Sequence, residues 1–128
     1  MEEIKIAEKI YNSIEVKGLI ETIKEYFGAG AIVKMPFSEK TCGAEIENLN
    51  LSVRSHNCLK RVGLNTVDKV ICAIEKDDLL KIRNLGKNSR AEIRVRTCEF
   101  GYNSLSERGR KNFSKILYEE NKELYKQG

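Results

Sequence analysis

The chain has 128 residues, enough for one domain with extensions, and its 41% hydrophobic and 33% charged residues are typical of a globular protein. No apolar run approaches the roughly 18 residues that a membrane span needs. The acidic start MEEIKIAEKIYNS is unlike a basic signal peptide. We therefore expect a cytoplasmic protein that has no membrane partner.

Positive charge is concentrated in the middle of the chain. The net charge is +4, yet residues 54–96 contain 11 cations against 5 anions, whereas residues 1–44 contain 6 cations and 7 anions. An excess of this kind indicates a polyanionic partner such as nucleic acid. The alternative is a solvated surface with lysine-rich faces.

Residues 2–27 are predicted to be helical, with a break at Gly18. Isoleucines recur near helical spacing at positions 6, 10, 14, 20 and 23. The GAGA sequence at 28–31 ends this helix. The AIVKMPF sequence after it is either a short strand or an extended arm, and a linker follows to about residue 44. The apolar stripe of 2–27 either packs on the rest of the chain or forms a dimer.

The segment 45–103 is dense with residues that start and stop helices. Ser52 is predicted to cap a helix over Val53–Val62, and Gly63 to end it in a left-handed conformation. Asn65 and Asp68 resemble a capping box for a helix over Val67–Ile74.

A short helix over Asp77–Ile82 and a last helix from NLGKNS, residues 84–89, to about Cys98 complete the segment. Its expected core comprises Leu59, Val62, Leu64, Val67, Val70, Ile71, Leu79, Leu80, Ile82, Leu85, Ile93 and Phe100. From residue 104 onward we predict a further helix capped by Ser106. The apolar stripe of that helix contains Phe113, Ile116, Leu117 and Leu124.

Two turns share one plan, in which a glycine between helices precedes a hydroxyl or amide residue that opens the next helix. They are RVGLNTVDKV and RNLGKNSRAEI, and the plan is that of a helix–hairpin–helix. Gly86 is expected to take a positive φ, so that the amides of Lys87, Asn88 and Ser89 face outward. With the positive end of the helix dipole, they form an anion site suited to a DNA phosphate. The alternative is an ordinary helix start capped by Ser89.

The stretch LSVRSHNCLKRVG places Arg54, Asn57, Cys58 and Arg61 on one side of a helix. Arginine and asparagine are suited to base edges and backbone oxygens, and arginine enters narrow A·T-rich minor grooves. Close approach of DNA requires Cys58 to be semi-exposed. The alternative is a solvated cationic face with Cys58 half-buried.

Catalysis and metal binding are disfavoured by the spacing of the thiols and the imidazole. The four cysteines, at positions 42, 58, 72 and 98, form no Cys-x-x-Cys pair. The single histidine, His56, is two residues from Cys58 and so points to a different side of the helix. We expect free, partly buried thiols, no catalytic residue, no metal and no cofactor.

Together, LNLSVRSHNCLKRVGLNTVDKV and KIRNLGKNSRAEI resemble the C-terminal domain of the bacterial RNA polymerase alpha subunit, over about residues 46–103. The resemblance implies an all-α, compact domain of four to five helices with helix–hairpin–helix elements, flanked here by N-terminal and C-terminal helices. We accordingly predict a helical extension and linker over 1–44, the module over 45–103 and a C-terminal helix over 104–128.

The resemblance also implies a non-catalytic DNA-binding module of bacterial transcription. Its partners would be A+T-rich duplex DNA, contacted across the minor groove, and RNA polymerase, sigma factor or a transcription activator. The implied DNA-contacting residues are Arg54, Asn57, Cys58, Gly86, Ser89 and Glu92. Lys60, beside this set, is a weaker candidate, and Lys87 joins it through the anion site described above.

The sequence departs from the family pattern at several positions. Asn88 stands where a second basic residue is usual, so one phosphate contact is lost and weaker, less salt-dependent binding is expected. The acidic patch before the first helix is thinned to Glu45 and Glu47, beside Asn48 and Asn50. The alpha subunit's assembly domain is not in this sequence, and Met1 followed by a helix start favours a complete small protein.

These departures leave an alternative function, a protein-interaction module that mimics the domain and binds sigma factor or a regulator without DNA. A further alternative is a DNA-holding accessory in DNA processing.

Overall fold

A computed structural model describes residues 2–39 and 41–126 as a set of helices. The α-helices are α1 (Glu2–Lys17), α2 (Leu19–Tyr26), α3 (Val53–Arg61), α4 (Val67–Glu75), α5 (Lys87–Asn103) and α6 (Glu107–Glu120). Short 3₁₀ helices cover Ile46–Leu49, Asp78–Lys81 and Lys122–Leu124. The all-α prediction is confirmed, since the described residues contain no strand beyond an isolated bridge between Glu45 and Thr66. None of the described helices is both long and apolar enough to cross a bilayer.

The contacts divide the chain into two units. The central unit is Phe37–Ser104, and the terminal unit joins Met1–Pro36 to Leu105–Gly128. The functional boundaries at 44/45 and 103/104 stay predictions.

Gly18 divides the first helical segment of the terminal unit, as predicted. Its φ of +97° lies in the left-handed region, which side chains disfavour. Before the break, α1 buries Ala7, Ile10 and Ile14. After it, the buried face of α2 restarts at Leu19, so Ile20 and Ile23 of the expected stripe are only half-buried.

The stripe of α1 packs internally, against α6. The two helices are antiparallel, because Lys122 Nζ lies 2.7 Å from Glu3 Oε1 and Arg110 Nη1 lies 3.1 Å from Glu15 Oε1. Ser106 caps α6 as predicted, accepting a hydrogen bond from the amide of Gly109 at 3.1 Å. Of the stripe predicted for the C-terminal helix, Phe113 and Leu117 are buried, whereas Leu124 is 39% exposed because it lies beyond the end of α6.

The AIVKMPF segment is an extended arm rather than a strand. The Asn121 side chain fixes it, accepting from the amide of Ile32 at 2.7 Å and donating to the carbonyl of Ile32 at 2.7 Å. Tyr125 closes the other end of the unit by stacking on Tyr26, with ring centroids 5.7 Å apart.

The core of the central unit is largely the predicted one. Of the expected residues, the buried ones are Leu59, Val67, Val70, Ile71, Leu79, Leu85 and Ile93. Val62 and Leu80 were predicted wrongly, with exposures of 46% and 62%. Val62 is the C-terminal cap of α3, and Leu80 follows the buried Leu79 in a 3₁₀ helix, where only one of two adjacent side chains can face inward.

The start of α4 also differs from the prediction, because no capping box forms between Asn65 and Asp68. Thr66 is the N-cap, and its hydroxyl pairs with the Asp68 carboxylate instead of with a helix amide. The first amide of α4, from Val67, donates to the carbonyl of Ala44 at 2.7 Å. A tertiary partner therefore satisfies the helix start, which the sequence assigned to a local motif. At the other end of the unit, α5 continues five residues beyond the predicted Cys98, burying Gly101 and Tyr102.

Candidate nucleic-acid interface

Helix α3 carries the predicted Arg54 face and starts as the sequence predicts. Ser52 is the N-cap, and its hydroxyl accepts from the amide of Ser55 at 3.3 Å. The carboxylate of Glu92, in α5, then binds both serines. It accepts from the Ser52 amide at 3.0 Å, the Ser52 hydroxyl at 2.9 Å and the Ser55 hydroxyl at 2.5 Å. These bonds fasten the start of α3 onto α5.

The remaining length of α3 is fastened to the turn before α5. The Cys58 thiol donates to the carbonyl of Asn84 at 3.9 Å. At the end of the helix, Arg61 Nη2 donates to the carbonyl of Arg83 at 3.0 Å. Contacts at the start, middle and end therefore hold α3 and residues 83–92 in one fixed arrangement, so that the two predicted elements form a single surface.

The Glu92 carboxyl is held in its charged form. Its pKa lies below the ordinary value of 4.5, chiefly because Ser55 donates a hydrogen bond to it, with Ser52 contributing further bonds. Its neighbour Arg96 also favours the charged form.

The prediction of a positive φ at Gly86 is wrong. Gly86 has φ −76° and ψ 172°, an extended conformation open to any residue, and it is the N-cap of α5. The left-handed residue of this turn is Asn84, with φ +66°. Asparagine tolerates that conformation better than most side chains, so the turn does not need its glycine. A Cβ at Gly86 would meet no atom of the described residues within 4 Å. The missing side chain therefore leaves open space above the backbone.

The amides that start α5 have no side-chain cap, so Ser89 does not close the helix start on itself. Helices α3 and α5 also share the absence of an acidic residue in the first turn. The other four described α-helices each have one, namely Glu2 and Glu3 in α1, Glu21 in α2, Asp68 in α4 and Glu107 in α6. Because acids offset the positive end of a helix dipole, the starts of α3 and α5 keep more of their attraction for anions.

The predicted contact residues differ in exposure. Arg54, Asn57, Gly86 and Lys87 are exposed, while Ser89 and Glu92 are half-exposed. Cys58 is only 5% exposed, so it lacks the semi-exposed position that contact with DNA requires. Its small side group instead lets α3 lie close to Asn84.

Lys60 and His56 lie on a different flank of α3 from Arg54. Lys60 Nζ is 3.2 Å and His56 Nε2 is 3.5 Å from the same oxygen of Glu47. This carboxylate partly neutralises Lys60, which makes Lys60 a poorer candidate for binding an anion than Arg54.

All four cysteines are free thiols, with Cys58 and Cys98 buried and Cys42 and Cys72 exposed. Burial raises the pKa of the Cys98 thiol to about 12, so this thiol stays protonated at neutral pH.

Sequence reasoning missed the residues that position the surface. Ser55 is completely buried, and a buried hydroxyl needs a partner. The Ser-x-x-Ser spacing of Ser52 and Ser55 was visible, but the partner, Glu92, is 37 residues from Ser55. Asn84 was visible only as part of a turn.

Comparisons with known proteins agree with this architecture. The family model for the C-terminal domain of the alpha subunit of bacterial RNA polymerase matches residues 36–96. The DNA-directed RNA polymerase subunit alpha of Clostridium perfringens strain 13 is 49% identical over 65 residues, spanning 51% of the present sequence and 20% of the relative. The corresponding subunit of Alkaliphilus oremlandii is 40% identical over 103 residues, spanning 78% of the present sequence and 32% of the relative.

The protein thus spans between a fifth and a third of the length of these relatives. No solved structure matches it significantly. The family match coincides with most of the central unit, including α3, the turn at Asn84 and the start of α5. The protein therefore contains a domain like the C-terminal domain of the bacterial RNA polymerase alpha subunit.

Proposed function

We propose that this protein is a non-catalytic module of bacterial transcription, located in the cytoplasm, that binds A+T-rich duplex DNA through α3 and the start of α5. Arg54 and Asn57 contact the minor groove, while Lys87, Ser89 and the backbone at Gly86 contact phosphates. Cys58 and Glu92 act as positioning residues, since both are occupied in joining α3 to its neighbours.

The observation that carries the proposal is the pairing of the two helix starts that lack acidic residues. These two helices are joined to each other by Glu92 and are the two that contain the predicted contact residues. A surface with exposed Arg54 and Lys87, uncapped amides and no side chain at Gly86 suits a close approach by a polyanionic backbone.

The proposal is tested by titrating the full-length protein into labelled duplexes, one A+T-rich and one G+C-rich, at two salt concentrations. We expect tighter binding to the A+T-rich duplex, weakening as salt rises. Equal affinity for both duplexes would remove the minor-groove preference. Absence of binding at the lower salt concentration would refute the proposed function.

Replacing Asn88 by lysine is expected to strengthen DNA binding. Asn88 is exposed in the first turn of α5, where a cation would gain one phosphate contact. Each such contact steepens the slope of log K against log salt by about 0.9. Measuring this slope for wild type, Asn88→Lys and the control Asn12→Lys, at an exposed position of α1, separates a local contact from general charge. A slope change equal in both variants would contradict the assignment.

Replacing Gly86 by serine is expected to separate folding from binding. Serine is a favourable N-cap, and Gly86 has an extended conformation with open space, so stability should be equal or higher. If DNA approaches this backbone, the added side chain should weaken binding about fivefold or more. Thermal unfolding and duplex titration are measured on the same sample. Unchanged affinity would place DNA away from Gly86.

The same domain type motivates a proposal about partners. RNA polymerase is the proposed setting, with sigma factor or an activator as candidate protein contacts. Co-purification of the tagged protein with RNA polymerase from nuclease-treated bacterial lysate would support this setting, and its absence would favour action outside the polymerase.

A further inference from the structure

A groove of about 730 Å³ runs between α1 and α6 in the terminal unit. We call it the terminal groove. Its α1 side provides Ile4, Ala7 and Tyr11, and its α6 side provides Arg108, Lys111 and Lys115. All of these residues lie outside the segment 36–96 that matches the family model, so the proposed DNA surface does not account for them.

The two walls of the terminal groove differ in chemistry. Ile4 is 56% exposed, which is unusual for a large aliphatic side chain next to a helix contact, and Tyr11 is half-buried. The α6 side is cationic, and Glu8 is the carboxylate on the opposite wall. Lys111 places its Nζ 5.5 Å from the centroid of the Tyr11 ring and also pairs with Glu107 at 3.2 Å. One wall thus offers apolar contact and the other offers positive charge.

The groove is elongated along the helices. Its lining residues recur at i, i+3 and i+7 on α1, from Ile4 to Tyr11, and on α6, from Arg108 to Lys115. Seven residues of α-helix rise about 10 Å, so each wall is about two turns long. A ligand that fills it must present apolar groups to one wall and negative charges to the other over that length.

We propose that the terminal groove binds an acidic amphipathic helix of a partner protein. Such a helix places leucine-like side chains at i, i+3, i+4 and i+7 against Ile4, Ala7 and Tyr11. Its flanking glutamates or aspartates then face Arg108 and Lys115. Nucleic acid fits this groove less well, because a phosphate backbone leaves the apolar wall without a partner.

The test uses the full-length protein and a fluorescent designed peptide of about 15 residues, with leucines at helical spacing flanked by glutamates. A matched peptide has lysine in place of every glutamate. We expect the acidic peptide to bind, the basic peptide to bind at least about tenfold more weakly, and rising salt to weaken the acidic complex. Equal affinity of the two peptides, or no binding of either, would overturn the proposal.

Two variants locate the binding. Charge reversal by Arg108→Glu with Lys115→Glu should weaken the acidic peptide about tenfold or more. The control Lys24→Glu, exposed on α2 away from the groove, should leave its affinity unchanged. Ile4→Asn should weaken binding severalfold and leave folding intact, since Ile4 is more than half exposed.

Other occupants would give different results. If the double variant weakens binding of labelled duplex as strongly as it weakens the peptide, the groove is a nucleic-acid surface and the proposal fails. If light scattering shows a dimer of wild type that becomes monomeric in the double variant, the occupant is a second copy of this protein and the proposal fails as well.

Discussion

Replacing Arg54 by alanine is expected to weaken binding to A+T-rich duplex DNA by roughly 10- to 100-fold, since loss of a specific arginine contact costs about 1–3 kcal/mol. Arg54 is exposed in the first turn of α3, a helix that begins without an acidic residue and is fixed to α5. The variant removes an exposed side chain and should not change folding. Fluorescence anisotropy with A+T-rich and G+C-rich duplexes gives the loss and shows whether the preference between them narrows.

Two lysine variants serve as controls for Arg54. Lys60→Ala changes the same helix on its other flank, where Glu47 already neutralises the cation, so its effect should be small. Lys24→Ala removes a cation from α2 in the terminal unit. If Arg54→Ala binds as well as wild type, or if Lys60→Ala loses as much affinity, the proposed face of α3 is wrong.

Replacing Glu92 by alanine is expected to destabilise the central unit by about 2 kcal/mol, because a charged group that accepts several hydrogen bonds is removed. Ser55, which is fully buried, would lose its carboxylate partner, and the Ser52 amide would lose its acceptor. Urea unfolding followed by circular dichroism measures the loss. Hydrogen exchange of the α3 amides should accelerate more than exchange in α6, which belongs to the other unit.

The pH dependence distinguishes a charged Glu92 from a merely space-filling one. Its folded pKa is depressed by the serine hydrogen bonds, so its charge contributes stability above the unfolded pKa and loses that contribution as pH falls through the folded pKa. The stability difference between wild type and Glu92→Gln should therefore be full at pH 7 and shrink below about pH 4. The exposed Glu75→Gln is the control, with a change within about 0.5 kcal/mol at pH 7. A Glu92→Gln difference that stays constant with pH would contradict the charged role.

Features decided within one or two helical turns were predictable from the sequence. The caps Ser52 and Ser106 and the break at Gly18 all have their physical cause in neighbouring residues. The apolar spacing also identified most of the central core, since burial follows the helical period.

Features decided by distant residues were not predictable. The start of α4 is satisfied by the Ala44 carbonyl, which a local capping rule cannot anticipate. The turn before α5 puts its positive φ at Asn84 because the fold, rather than glycine content, sets where the backbone reverses. That choice changes the significance of Gly86, whose missing side chain serves the surface instead of the turn. The candidate contact residues of the DNA surface were named from sequence, whereas its fastening through Glu92 required the structure.

The central unit is an insertion in the terminal unit, and this connectivity constrains the order of folding. Glu3 and Lys122 pair across 119 positions of sequence, so α1 finds α6 only after residues 37–104 have been synthesised. The contacts of α3, α4 and α5 are local by comparison, which favours earlier and faster folding of the central unit. A folded insert leaves much less conformational entropy to lose when α1 and α6 meet than an unfolded one would. On the ribosome, the DNA-binding surface should therefore form before the terminal groove exists, and early termination before α6 should leave α1 without its partner.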